Sequence, residues 1–203
     1  MKSTILRSGV ALACALGLAA CGGGSGDLYL QGGVQGVTKD GLVLQNNGGH
    51  DTAVVVDSTG RYSSFTFADR ISTDDEFNIT VKAVPSNVEK CEVRNGHSHA
   101  NYYTIQQVAV VCTIKVHKLT VTVNGLTKPG LVLVNGADRV PVNANATTAD
   151  MAPVYEDAAY GIDVLTQPQG QTCTVSGGDT PTGTGSGFMH DKDLAGNVVV
   201  TCN

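Results

Sequence analysis

Two of the chain's five histidines stand one residue apart, at His97-Ser98-His99. On a strand both imidazoles share a face, which suits a transition metal when a third ligand converges. They follow Asn95-Gly96, a turn dipeptide, so the segment reads first as polar residues on a hairpin tip, with His97 and His99 as a secondary metal pair. His190-Asp191-Lys192-Asp193 mixes ionisable groups, yet no nucleophile or oxyanion donor stands beside them in the sequence. Gly183-Thr184-Gly185-Ser186-Gly187 lacks the lysine and following helix of a phosphate loop, and Ser186 does not sit in G-x-S-x-G, so this stretch reads as a glycine-rich loop. Asp74-Asp75-Glu76 places carboxylates at successive positions, where they splay apart, and the spacing of a calcium loop is missing. Phe188-Met189 is an apolar pair inside a polar stretch, expected where that stretch packs back on the fold. Phe188, Met189 and His190 form the candidate binding loop. An isopeptide from Lys39 or Lys128 would need a buried lysine, and both lie in T-K-[DP]-G turns. No catalytic residue, cofactor or metal is assigned, and the chain is read as not an enzyme.

The N-terminus carries a different chemistry. Residues 1–20 hold Lys2 and Arg7, no acid, and a small, apolar run from Gly9 to Ala20. This is the pattern of a secretory signal peptide, too short to span a bilayer, which takes about 20 apolar residues. It ends in Leu18-Ala19-Ala20-Cys21, which resembles the lipobox of bacterial lipoproteins. The resemblance implies cleavage before Cys21, diacylglycerol on its thiol and acylation (palmitate) of the new amino terminus. Several acyl chains anchor stably, at about 0.8 kcal/mol per buried methylene. Gly22 in place of an aspartate implies the outer membrane of a Gram-negative cell, facing outward or into the periplasm. Residues 21–27 are then the lipidated cysteine and a glycine-rich tether, and residues 22–27 reach about 20 Å when extended.

Removing Lys2 and Arg7 from the 13 Lys and Arg leaves 11 against 18 Asp and Glu, a charge of −7. No basic cluster exists to displace phosphate counterions, so nucleic acid is excluded as a partner. Membrane contact is expected through lipid. Cys14 leaves with the signal and Cys21 bears lipid, so Cys91, Cys112, Cys173 and Cys202 remain for an oxidising compartment. Of the three pairings they allow, an internal repeat selects Cys91 with Cys112 and Cys173 with Cys202.

That repeat is plain in Gly36-Val37-Thr38-Lys39-Asp40-Gly41-Leu42-Val43-Leu44-Gln45-Asn46 and Gly125-Leu126-Thr127-Lys128-Pro129-Gly130-Leu131-Val132-Leu133-Val134-Asn135, which agree at eight of eleven positions. Repeat 1 spans residues 28–114 and repeat 2 spans 117–203. Leu119, Val121 and Val123 alternate with polar residues, as do Phe77, Ile79 and Val81 and their counterparts Tyr160, Ile162 and Val164. In repeat 1 a β-branched run is read from Ala53 to Asp57. Thr148–Asp157 is the one stretch with helical character, and Pro153 interrupts it. About seven short strands per repeat, with frequent turn signals, predict an all-β chain of two tandem immunoglobulin-like β-sandwiches. Each disulfide is expected to staple an antiparallel hairpin, Val93 near Val110, with free tips at Asn95–Thr104 and Gly177–Asn197.

The two repeats resemble the tandem domains of proteobacterial surface lipoproteins that open on G-L-x-x-x-G-L-V-L-x-N, centre on P-x-G-x-x-C and end on V-x-V-x-C. Pro168 to Cys173 matches the centre, whereas Pro85 to Cys91 is one residue longer and lacks the glycine. The resemblance implies fold and location. The expected function is a lipid-anchored surface or periplasmic interaction module that meets a protein or glycan partner through its hairpin tips. The alternative is a structural spacer of the envelope, with a hydrolase a distant third.

Overall fold

The computed structural model describes residues 28–56 and 63–203. The expected signal peptide (residues 1–20), the expected lipidation site Cys21, the expected 21–27 tether and the Asp57 end of the Ala53–Asp57 run lie outside the described residues.

Among the described residues repeat 1 has eight strands, one more than the spacing predicts: β1 (Leu28–Gln35), β2 (Val43–Asn46), β3 (Gly49–Ala53), β4 (Ser63–Ile71), β5 (Glu76–Ala83), β6 (Val88–Arg94), β7 (His97–His99) and β8 (Val108–Ile114). They form two layers, ordered β4-β1-β8-β6 and β3-β2-β5-β7. Repeat 2 supplies β9 (Val116–Asn124), β10 (Leu131–Asn135), β11 (Asp138–Val142), β12 (Thr148–Tyr155), β13 (Ala159–Thr166), β14 (Cys173–Gly178), β15 (Thr184–Phe188) and β16 (Leu194–Cys202). Its order, β11-β10-β13-β15-β14-β16-β9-β12, repeats both layers of repeat 1 strand for strand. A short parallel pairing of β14 with β15 joins them into one sheet that wraps the core.

The alternation read from sequence fixes which faces are buried. Leu119, Val121 and Val123 are each no more than 2% exposed, as are Phe77 and Ile79, and Tyr160 and Ile162 stay below 5%. Two hydrophobic clusters result, Leu30 to Cys112 and Leu119 to Cys202, with no residue in common.

Four of the eight positions that the two copies of the motif share have a plain physical reason. Gly36 and Gly125 sit at φ +75° and +73°, and a Cβ on either would overlap the carbonyl oxygen of the closing cysteine, Cys112 or Cys202. Leu42, Leu44, Leu131 and Leu133 fill the core. Asn46 Oδ1 accepts from Asn78 N and Asn135 Oδ1 from Gly161 N, both at 3.0 Å, which pins the register of the antiparallel pairs β2–β5 and β10–β13. The divergent centre is compensated. In repeat 2, Gln171 Oε1 accepts from Thr127 N and Lys128 N. In repeat 1 the buried Asn87 reaches the same turn through Thr38 Oγ1 at 3.0 Å.

Both disulfides form as the repeat requires, Cys91–Cys112 and Cys173–Cys202, each between directly opposed residues of antiparallel strands. Val93 faces Val110 as expected. Other expectations are corrected. The β-branched run in repeat 1 is not itself a strand: β3 ends at Ala53, Val54 turns into the core, and Val55 makes an isolated bridge to Ser64. Thr148–Tyr155 is strand β12, and Pro153 lies at a bulge between Met151 and Val154. Pro141 and Pro153 mark the two edge strands of repeat 2, where a missing donor discourages pairing with another chain.

Candidate functional site

The hairpin tips are not free. After Arg94 the chain crosses to the opposite layer, where β7 pairs with β5: Glu76 faces His99 and Asn78 faces His97. In repeat 2, β15 crosses in the same way to β13. A tip that must cover the second layer cannot vary freely, and this eighth strand is the one that the sequence hides, because His-Ser-His and Gly-Ser-Gly lack apolar alternation.

His97 and His99 lie on one exposed face of β7, as a strand requires. They go to separate partners. His97 Nε2 stands 3.4 Å from Glu76 Oε1, and His99 Nδ1 donates to the Asp74 carbonyl at 2.9 Å. Among the described residues no group of three His, Cys, Asp or Glu is placed to hold a metal ion. The candidate binding loop is split by the fold. Met189 is fully buried and exchanges backbone hydrogen bonds with Asp157 and Ala158, which is the packing expected of it. Phe188 is 60% exposed on β15, and His190 pairs with Asp179 at 2.9 Å.

Strand directions place this loop. β1 runs parallel to β8, and β9 runs parallel to β16. Leu28 therefore marks the far end of sandwich 1, Ile114 its junction end, Val116 the junction end of sandwich 2 and Cys202 the other far end. Met189 returns to β16 at the junction end, so His190 and Asp191 meet sandwich 1 instead of solvent beyond a tip. They line a groove of about 420 Å³ with Lys39, Ser86, Lys115, Glu156 and Asp157.

One residue links the sandwiches. β8 ends at Ile114 and β9 starts at Val116, leaving Lys115 alone between them. Its N–H donates to the Asn87 carbonyl of sandwich 1 and its carbonyl accepts from Glu156 N of sandwich 2, both at 2.9 Å. Its ammonium caps the Ser86 carbonyl at 2.6 Å. Beside it, Glu156 is 6% exposed and is met by His117 Nε2 at 3.2 Å. Asp193 accepts from Lys118 N at 2.8 Å and approaches His117 Nδ1 at 3.8 Å. Lys39, in the shared motif's turn, reaches Asp157 across the junction at 3.2 Å. Both side chains are about half exposed, so the pair is worth at most about 1 kcal/mol.

A second depression of about 410 Å³ lies at the far end of sandwich 1, between the β2–β3 hairpin and β4. Leu30, Phe67 and Ile71 form its floor, and His50 pairs with Asp69 at 2.6 Å on its rim. On the edge strand β6, Lys90 and Glu92 hydrogen-bond at 2.9 Å. That bond, and then their mutual charge, raises the lysine pKa and lowers the glutamate pKa.

No protein-family model and no curated relative matches this chain. Among solved structures it is similar to two B repeat units of the collagen-binding protein CNA of Staphylococcus aureus. That match has 15% identity and a TM-score of 0.28, over 87% of this chain and 49% of the other. A single B repeat unit of the same protein matches at 14% identity and a TM-score of 0.25, over 87% and 97%. The chain thus spans about half the length of the two-repeat structure, and at TM-scores this low the likeness carries no weight for function.

Proposed function

We propose that the chain is an exported, lipid-anchored stalk of the outer membrane, in which two β-sandwiches joined without a hinge hold the Cys202 end of sandwich 2 away from the bilayer. The observation that carries this reading is Lys115, a one-residue connection whose N–H and C=O are bonded to opposite sandwiches. Strands of nine residues rise about 30 Å, so two sandwiches end to end reach about 60 Å. The reading assigns the chain no reaction. Small-angle scattering of residues 21–203 with Cys21→Ser tests it. The expected maximum dimension is single-valued and changes little with ionic strength, and a Gly-Gly-Ser-Gly insertion after Lys115 broadens the distribution. A wild-type profile as broad as the insertion's refutes the stalk.

Interaction with a protein or glycan partner is the second reading, and it is favoured by Phe188, whose ring is exposed on a strand that is otherwise small and polar. The partner would then approach the side of sandwich 2 near the junction. Loss of partner capture on intact cells with Phe188→Ser supports this reading, and unchanged capture removes it.

A further inference from the structure

Repeat 1 carries at its far end something that repeat 2 lacks. The connection that returns from β7 to β8 contains Tyr102 and Tyr103, which are 69% and 74% exposed with their rings edge to face at 5.7 Å. The corresponding connection of repeat 2 carries His190, Asp191, Lys192 and Asp193 and faces the junction. Hydrogen bonds between Ala100 and Asp74 and between Ala100 and Asp75 hold the tyrosine connection at the end where Leu28 opposes Ile71. Tyr29 lies at the same end, 44% exposed, with the Arg70 guanidinium 4.6 Å above its ring.

We propose that this end of sandwich 1 is a membrane-docking surface, with Tyr102 and Tyr103 resting in the headgroup layer of a zwitterionic, ethanolamine-bearing bilayer. The proposal rests on the lipid-anchored reading for one fact only, that residues 22–27 tie Leu28 to the bilayer within about 20 Å. At that range the end that bears Leu28 is the end that meets lipid. Tyrosine suits the position, because its ring enters the apolar boundary while its hydroxyl stays among the headgroups. Charge selects the lipid. Asp69, Asp74, Asp75 and Glu76 outnumber Arg70 among the exposed charges at this end, so an anionic surface repels it, while an ammonium headgroup is matched. Two exposed aromatic rings have no evident use on a spacer's solvent face, and they appear in the one repeat whose end faces the tether.

The chain has no tryptophan, so one introduced indole reports from one place. Residues 21–203 keep Cys21 as the single cysteine outside the disulfides, and it can be coupled to a maleimide lipid in vesicles. With Tyr103→Trp on phosphatidylcholine–phosphatidylethanolamine vesicles containing brominated acyl chains, the expected result is a blue shift and at least two-fold quenching. Lys128→Trp at the opposite end is expected to stay unquenched, and phosphatidylglycerol vesicles to reduce the effect seen with Tyr103→Trp. Because an indole favours interfaces on its own, hydroxyl-radical footprinting of the unsubstituted chain is the second readout, with Tyr102 and Tyr103 protected on tethering. Equal quenching of the Tyr103→Trp and Lys128→Trp variants, or footprints unchanged by tethering, overturns the proposal. Lipidation in cells is read separately, from the mass of the mature N-terminus. Failure of the anchor reading is therefore distinguishable from failure of docking on a chemically tethered chain.

Discussion

Gly32 and Phe65 face each other across β1 and β4, and a Cβ on Gly32 would lie 2.7 Å from the phenyl ring and overlap the Val108 carbonyl. The same pair of positions in repeat 2 is Val121 and Ala149. One copy puts the volume on the edge strand, as Phe65, and the other on the central strand, as Val121. Gly32→Ala is expected to destabilise repeat 1 by roughly 2 kcal/mol or more in urea denaturation. Adding Phe65→Ala relieves the ring but not the carbonyl, so the double variant should remain less stable than Phe65→Ala alone. Full recovery would show that the backbone contact is not limiting.

The disulfides differ in accessibility. Cys173 and Cys202 are 2% and 4% exposed, whereas Cys91 is only partly buried. Limited treatment with a small thiol, followed by alkylation and peptide mass spectrometry, should label Cys91 and Cys112 first. Removing either bridge, which closes 21 or 29 residues, is expected to cost about 3 kcal/mol. Simultaneous labelling of all four cysteines would contradict separate local environments.

Tyr160 makes alkaline stability testable at one residue. Its burial first, and then the charge of Asp179, push the phenol pKa above 10.0, partly offset by the Asp179 amide. A folded-state pKa above the unfolded value makes the folded chain hold the proton more tightly. The associated stability is complete below about pH 10 and declines as pH rises through the folded-state value. Thermal melts of wild type and Tyr160→Phe should therefore diverge only above about pH 10, with wild type falling. Parallel curves would remove Tyr160 from the account.

Much of this was legible in the sequence, for reasons that individual residues show. Val93 opposite Val110 follows from Cys91 paired with Cys112 across antiparallel strands, because cross-strand geometry ties spacing to register. Phe77 and Tyr160 declare their burial through period-two alternation. What escaped is what no local pattern encodes. β7 and β15 are strands because an exposed edge of β5 or β13 needs a partner, not because His97-Ser98-His99 or Gly185-Ser186-Gly187 prefer extension. The place of His190 follows from strand direction, and parallel pairing of β9 with β16 is invisible in one dimension. Tyr102 and Tyr103 stand in no motif, and their meaning comes from which end of the sandwich they occupy.

The junction carries the account. Residual dipolar couplings measured on residues 21–203 with Cys21→Ser, in one weakly aligning medium, report the orientation of each sandwich independently. With Lys115 bonded to both Asn87 and Glu156, a single alignment tensor is predicted to fit residues 28–114 and 117–203 together. Two tensors of different magnitude, one for each repeat, would mean that the sandwiches swing independently and would contradict the stalk.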